Sequence, residues 1–575
     1  MPELTWIGKS KIVRHDQEVP YKLLETPANQ PAPPRNSDDA ENLIIKGDNL
    51  DALKALLPEY QGRITAIYID PPYNTGKELW VYNDAVNDPQ IQRWLGKAVG
   101  AQGVDLTRHD KWLCMMYPRL RLLWRLLAED GVIFISIDDN EVSNLRLVCQ
   151  EIFGAANELS TFIWETSGNK DNQDDVTHVH EYVLSFCKRK SQFSSARVVD
   201  PNVPPGSKIL RNFVENSVVK NGSKNPASEI ELPVGFPVRV PELHLAAHDR
   251  FHELASAVED NGGWVKRDMK AIYDVSFPAR RDDMVAEGGV LIKPCRVFTG
   301  WANANKLRQF IANDCKPLVT NDEQTTFHLT KNGVVEYRKE GRASHYVQTV
   351  LRNFTSTELQ KNALEKMGLD FDYPKPVDLV QYLLSIADQD DAIILDSFAG
   401  SGTVGEAVLR MNAADGKNRQ FILVEMGDYA RSVTAQRVAN VANGFEHGKH
   451  SSVGVGGTFT YKELGQPLLI DGDLNPAAPF GNVRQYIWFT ETGQPYPSEV
   501  PTHKYFLGRN HGVGYFFYYS SDSATVLDLE FLRSITEDEK AEEYVVYADS
   551  CALSSEQRRK YHVTFRKIPR DITRL

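Results

Sequence analysis

Five short runs of aliphatic and β-branched residues punctuate the chain, and four of them stop at a carboxylate. Leu43-Ile44-Ile45 leads into the turn Gly47-Asp48-Asn49. Ile64-Thr65-Ala66-Ile67-Tyr68-Ile69 runs into Asp70, Gly131-Val132-Ile133-Phe134-Ile135-Ser136-Ile137 into Asp138-Asp139, Ala392-Ile393-Ile394-Leu395 into Asp396, and Phe421-Ile422-Leu423-Val424 into Glu425. Runs this short and continuously apolar suit strands buried on both faces. Between them, residues 50–57, 112–127 and 406–411 carry apolar positions at helical spacing. Strands alternating with helices predict an α/β fold with a doubly wound, mostly parallel, Rossmann-like sheet. Such sheets bind ligands beyond the carboxyl ends of their strands, which is where Asp70, Asp138, Asp396 and Glu425 fall. Asp138 and Asp139 are expected to cap the helix that follows them.

The rhythm is interrupted twice. Residues 1–36 end in a proline-rich lead-in, Pro27-Ala28-Asn29-Gln30-Pro31-Ala32-Pro33-Pro34-Arg35-Asn36, and precede a first sheet half at 37–190. From 191 to 355 the βα pattern fades among Pro and Gly clusters such as Pro201-Asn202-Val203-Pro204-Pro205-Gly206, which predicts an inserted domain. The sheet resumes over 356–445. Residues 446–575 read as an accessory α+β region whose aromatic density, including Tyr515-Phe516-Phe517-Tyr518-Tyr519, suits a small β-rich core.

At 575 residues the chain is too long for a single core, and 42% hydrophobic and 10% aromatic content is globular. Six scattered cysteines, with no C-x-x-C pair, indicate neither a disulfide framework nor a zinc site. No run approaches the ~18 apolar residues of a membrane span, and the opening Met1-Pro2-Glu3-Leu4-Thr5 is unlike a signal peptide. A cytoplasmic location and no membrane partner are expected. The net charge of −12 opposes binding to polyanions, but its distribution changes the picture. Residues 188–352 hold 25 basic and 19 acidic side chains, a net of +6 that leaves −18 on the rest. The middle of the chain is therefore the expected nucleic-acid face.

Asp70-Pro71-Pro72-Tyr73 has the groups needed to alkylate an amine conjugated to an aromatic ring. Such a nitrogen is a poor nucleophile because its lone pair is delocalised. A carboxylate on Asp70 and the carbonyl of Pro71 could each accept one N–H and turn the lone pair toward an incoming methyl group. Pro71 and Pro72 fix φ and donate no N–H, which holds that carbonyl in place. Tyr73 offers a flat face to a base extruded from its stack. An ordinary strand-to-turn junction would explain the same residues.

Gly400-Ser401-Gly402-Thr403-Val404-Gly405 is formally the dinucleotide fingerprint G-x-G-x-x-G, with Glu425 as the acidic residue for ribose hydroxyls. Taken alone, it suits NAD and S-adenosylmethionine about equally. A pyrophosphate favours a helix N-terminus free of negative charge, whereas Asp396 and Phe398 suit an ammonium and a sulfonium. Paired with Asp70-Pro71-Pro72-Tyr73, the loop predicts S-adenosylmethionine and amino-methylation of nucleic acid. An NAD-dependent oxidoreductase and a non-catalytic DNA-binding subunit remain alternatives.

The motif order resembles the β-group of DNA amino-methyltransferases, and the longer context resembles the modification subunit of Type III restriction–modification systems. The residues responsible are Gly47-Asp48-Asn49-Leu50, Asp70-Pro71-Pro72-Tyr73-Asn74-Thr75-Gly76, Ile135-Ser136-Ile137-Asp138-Asp139-Asn140-Glu141, His180-Glu181-Tyr182, Tyr373-Pro374-Lys375-Pro376, residues 396–402, Tyr461-Lys462-Glu463-Leu464-Gly465 and Ile568-Pro569-Arg570-Asp571. The resemblance implies methyl transfer from S-adenosylmethionine to adenine N6 at a specific site in duplex DNA, with cytosine N4 as the alternative. It implies catalytic roles for Asp70, Pro71, Pro72 and Tyr73, and a cofactor side made by Lys375, Asp396, Phe398, Gly400, Gly402 and Glu425. It also implies a homodimer and a helicase-nuclease restriction subunit as partner; this chain carries no G-x-x-x-x-G-K-[ST] loop of its own.

Overall fold

The computed structural model describes residues 4–27, 41–75, 104–166, 178–196, 198–204, 207, 213–320, 323–340, 346–387, 389–470, 472–497 and 504–569. Most of the proline-rich lead-in, together with Gly76, Arg570 and Asp571, lies outside them. The chain forms two compact units, one of residues 1–196 with 348–575 and one of 197–347.

The first unit is built on a ten-stranded sheet. Its strands are β1 (Lys22–Glu25), β2 (Leu43–Lys46), β3 (Ile64–Ile69), β4 (Leu127–Ile137), β5 (Glu158–Glu165), β6 (His180–Cys187), β7 (Val350–Leu351), β8 (Ile393–Asp396), β9 (Gln420–Glu425) and β10 (Thr460–Pro467). They lie in the order β1-β10-β2-β9-β8-β3-β4-β6-β5-β7. The stretch from β10 to β4 is parallel throughout, while β6 runs antiparallel to both β4 and β5. The central strands β3 and β8 are buried at every position, as continuous apolar runs require. Four helices serve the site: α1 (Asn49–Tyr60), α2 (Val104–Leu126), α3 (Val377–Ile386) and α4 (Thr403–Asp415).

Chain direction makes the centre of this sheet distinctive. From β3 the chain crosses by α2 to β4 on one side, and from β8 it crosses by α4 to β9 on the other. β3 and β8 are neighbours, with Ala66 opposite Ile394 and Ile67 opposite Leu395. The strand order thus reverses between them, and the loops leaving β3 and β8 part to leave a crevice. Asp70 and Asp396 stand at its two lips.

The outer strands correct two boundaries. Lys22–Glu25, expected in an N-terminal extension, is the edge strand of the sheet and pairs with Thr460–Pro467, expected in the accessory region. Thr460–Pro467 in turn runs parallel to β2. Neither strand is a continuous apolar run: most positions in β1 and β10 are partly exposed, so the pattern that finds central strands passes over them. The remaining C-terminal residues build a four-stranded sheet of Phe506–Asn510, Val513–Phe517, Glu543–Ala548 and Val563–Lys567. Phe506, Tyr515, Phe516 and Phe517 are buried in its cores.

The described residues of the second unit form three small antiparallel sheets. Its charge is smaller than the excess counted over residues 188–352: residues 197–347 hold 21 basic and 19 acidic side chains, a net of +2. Most of the +6 comes from flanking residues of the other unit, where Lys188 and Arg189 pair with Glu129 and Arg352 pairs with Glu165. Many arginines inside the unit are also paired, Arg281 with Glu229 and Arg296 with Asp282 among them. Arg239 meets both Glu215 and Glu336, the two carboxylates beside His328. No described helix is long and apolar enough to cross a membrane.

Candidate active site

The Asp70-Pro71-Pro72-Tyr73 turn is held by Asn74 and Glu141, which the resemblance includes without a role, and by Trp112, His109 and Asn144, which no motif singles out. The indole N–H of Trp112, on α2, donates to the carbonyl of Pro72 at 2.7 Å. Asn74 adopts φ +58° and its amide donates to Glu141, just beyond β4. The fully buried Glu141 carboxylate also meets His109 Nδ1 at 2.5 Å and the amide of Asn144 at 2.8 Å. A buried carboxylate with this many partners fixes the backbone that carries it. Asp138 does not cap the next helix. It closes a local turn instead, accepting from the Asn140 backbone at 2.9 Å and side chain at 2.7 Å, while Asp139 accepts from the Tyr182 hydroxyl at 2.9 Å.

The glycine loop is braced in the same way. Asp396 accepts from the amide of Phe398 at 3.0 Å. The two oxygens of Glu425 accept from the amides of Gly400 at 2.7 Å and Gly427 at 2.8 Å. The Thr434 hydroxyl donates to the Gly400 carbonyl at 2.6 Å. From the Gly47-Asp48-Asn49 turn, Asn49 donates to the Ser397 carbonyl at 3.0 Å, and the buried Arg119 ties both Asn49 and Asp48 to α2.

The two loops line a cleft of about 950 Å³ that contains Asp70, Pro71, Pro72, Tyr73, Lys375, Asp396, Phe398, Gly400 and Glu425. Gly402 stands apart from it. At φ +86° Gly402 starts α4, and a Cβ there would meet the Thr434 carbonyl at 3.0 Å rather than the cleft. Its glycine serves the turn and the packing behind the loop. Gly400, at φ +51°, does face the cleft, against Phe371. Glu181, Asp372, Phe371, Tyr373 and Tyr429 complete much of the wall. Glu181 lies one residue into β6 and Phe371 in the loop before α3, so neither ends a run of the kind that marks the other acids.

Among the described lining residues there are five carboxylates, on Asp70, Glu181, Asp372, Asp396 and Glu425, and one ammonium, on Lys375. Lys375 is nearly buried, 2.9 Å from Glu181 and 3.4 Å from Asp70. Burial pulls its pKa down, but the two carboxylates outweigh that and hold it above the ordinary value. Burial raises the carboxyl of Asp396 well above the usual range, against the hydrogen bond from Phe398, and the charges of Asp70 and Glu425 push the same way. Asp70 is also raised by burial, partly offset by Lys375. A cleft with unbalanced buried negative charge gains by taking in a cation and repels a pyrophosphate.

Residues 64–436 match the family model described as DNA methylase. The chain belongs to the DNA methylase family. The matched residues begin with β3 and extend past β9, so they include both loops of the cleft and carry the second unit as an insertion. Among curated proteins, this chain is 29% identical over 438 residues to the Mod subunit of the Type III restriction-modification enzyme EcoP15I of Escherichia coli, covering 74% of this chain and 64% of that one. It is 30% identical to the EcoPI Mod subunit of Escherichia phage P1 (73% and 63%) and 29% identical to the StyLTI Mod subunit of Salmonella typhimurium (73% and 58%). The chain spans about three-fifths of the length of these relatives.

Proposed function

We propose that this chain transfers a methyl group from S-adenosylmethionine to the N6 amino group of adenine at a specific site in duplex DNA, as the modification subunit of a Type III restriction–modification system. The observation that carries the reading is the meeting of Asp70 and Asp396 at the reversal of strand order, in an acidic, aromatic-walled cleft. The chemistry of that cleft fits the cofactor. Asp396 and Glu425 suit an ammonium and ribose hydroxyls, Gly400 lets a ligand approach the backbone, and the rings of Phe398, Phe371 and Tyr429 suit a sulfonium. When bound, S-adenosylmethionine supplies a methyl group already activated by its sulfonium, which departs as a neutral thioether.

The remaining work belongs to the protein. Asp70 Oδ1 and the Pro71 carbonyl each accept an N–H of the target amine and orient its lone pair, and Asp70 takes up the surplus proton. Tyr73 stacks on the extruded base. Trp112, Asn74 and Glu141 hold this turn rigid, so that little reorganisation is left for the reaction. The similarity to Mod subunits of Type III restriction-modification enzymes supports a place in such a system; in this reading the base is adenine, the setting cytoplasmic, the assembly a homodimer, and a helicase-nuclease subunit the partner that cleaves. Calorimetric titration separates the two cofactor readings: S-adenosylmethionine binds and NAD does not. Binding of NAD alone would overturn the assignment of the cleft.

A further inference from the structure

Two features assigned to the target base both lie against one ammonium. Lys375 Nζ lies 3.4 Å from Asp70 Oδ1, the oxygen meant for an amine N–H. The same ammonium sits over the Tyr73 ring, 4.7 Å from its centroid, and 5.7 Å from the centroid of Trp164. A base that stacks on that face of Tyr73 and donates to Asp70 must displace it. Only 9% of the Lys375 side chain is exposed, so retreat into water is not open to it within the cleft. Glu181 is the remaining acidic partner at hand. A single oxygen, Oε2, accepts from both Lys375 Nζ and the Tyr73 hydroxyl, each at 2.9 Å.

We propose that Glu181 is a positioning residue that draws the Lys375 ammonium off Asp70 when the target amine arrives, leaving Asp70 free to accept an N–H. This rests on the methyltransferase reading above. Lys375 thereby acts as a stand-in for the substrate, neutralising Asp70 while the cleft is empty, and its charge is compensated by Glu181 once the cationic cofactor and the base are both present. Without the Glu181 charge, Asp70 becomes the principal carboxylate partner of Lys375. The ammonium then competes with the target amine. The same Glu181 oxygen also fixes the tilt of the Tyr73 ring through its hydroxyl.

The test compares Glu181→Gln, Lys375→Met and the double variant for single-turnover methylation and for calorimetric affinity toward S-adenosylmethionine. Glutamine keeps the shape and one acceptor, so the fold should persist, and rates are compared at saturating S-adenosylmethionine because one cleft carboxylate is lost. The methylation rate of Glu181→Gln should fall about 10- to 100-fold, the range for losing a hydrogen bond to a charged group. Adding Lys375→Met should restore several-fold of that loss, because no ammonium is left to clamp Asp70. A merely structural Glu181 would give no such rescue. An unchanged rate in Glu181→Gln, a double variant no faster than Glu181→Gln, or a loss confined to cofactor affinity would each overturn the proposal. Wild-type protein that binds the cofactor yet methylates no duplex would instead refute the reading beneath it.

Discussion

Helix α4 is bounded by two glycines in the left-handed region, Gly402 at φ +86° before it and Gly416 at φ +75° after it, and the pair permits a controlled perturbation. Alanine at either position incurs the strain of that backbone conformation, about 1–2 kcal/mol. At Gly416 nothing lies within 4 Å of the added Cβ, so strain is the whole cost. At Gly402 the Cβ stands 3.0 Å from the Thr434 carbonyl, and Thr434 is fully buried. Overpacking at such a site adds about 1–3 kcal/mol, which brings Gly402→Ala to a total of about 2–5 kcal/mol. The displacement also has a path to the cleft, because the Thr434 hydroxyl holds the Gly400 carbonyl. Urea unfolding midpoints should therefore rank Gly402→Ala well below Gly416→Ala, at unchanged slope. Calorimetry should show S-adenosylmethionine affinity falling about tenfold or more only in Gly402→Ala, equivalent to ~1.4 kcal/mol at the loop. Equal stability losses, with equal affinities, would refute the role given to Thr434 behind the loop.

Further outcomes follow from the other lip and from the inserted unit. Asp70→Ala should lower turnover about 100-fold or more while leaving cofactor affinity nearly unchanged; a loss seen only in affinity would contradict the division between the two loops. Because burial raises Asp70, the acid limb of wild-type turnover should lie above the ordinary carboxylate range, with the rate rising as Asp70 loses its proton. For Asp396 the sign is opposite to that of a salt-bridged carboxylate: its folded pKa is raised, so its contribution to stability is fully present below the unfolded value and is lost as pH rises through the folded one. Asp396→Asn should accordingly unfold at higher urea than wild type at neutral pH, with the difference vanishing in acid, while cofactor binding weakens. Exchanging residues 197–347 for another family member's insertion should change the sequence that is methylated, and an unchanged site would place recognition in the other unit.

The strands that carry the cleft acids were legible because continuous apolar runs ending in Asp70, Asp396 and Glu425 show both their element type and their terminal carboxylate in a few consecutive residues. The edge strands were not, since Lys22–Glu25 and Thr460–Pro467 are stabilised by pairing with each other and with β2 rather than by a local pattern. Glu181 and Glu141 stand in stretches that the resemblance includes, but their roles were not legible: Glu181 enters the cleft because β6 runs antiparallel beside β4, and Glu141, like Arg119 and Trp112, acquires its role from long-range contacts. The charge excess of residues 188–352 narrows to a net of +2 in the second unit, because the sum over sequence includes Lys188, Arg189 and Arg352, each of which has a carboxylate partner in the first unit. Gly402 shows the limit of motif reading most clearly. Its spacing fits a cofactor loop, but its missing side chain makes room for the Thr434 backbone.

The most direct measurement incubates the purified chain with duplex DNA and S-adenosylmethionine labelled in its methyl group, hydrolyses the DNA to nucleosides and separates them. Label in N6-methyladenine, formed without added nicotinamide cofactor, metal or ATP and absent with Asp70→Ala, is the predicted result. Label in N4-methylcytosine alone would overturn the base, and label in RNA or protein with DNA left unmodified across many sequences would contradict the proposed chemistry of the cleft.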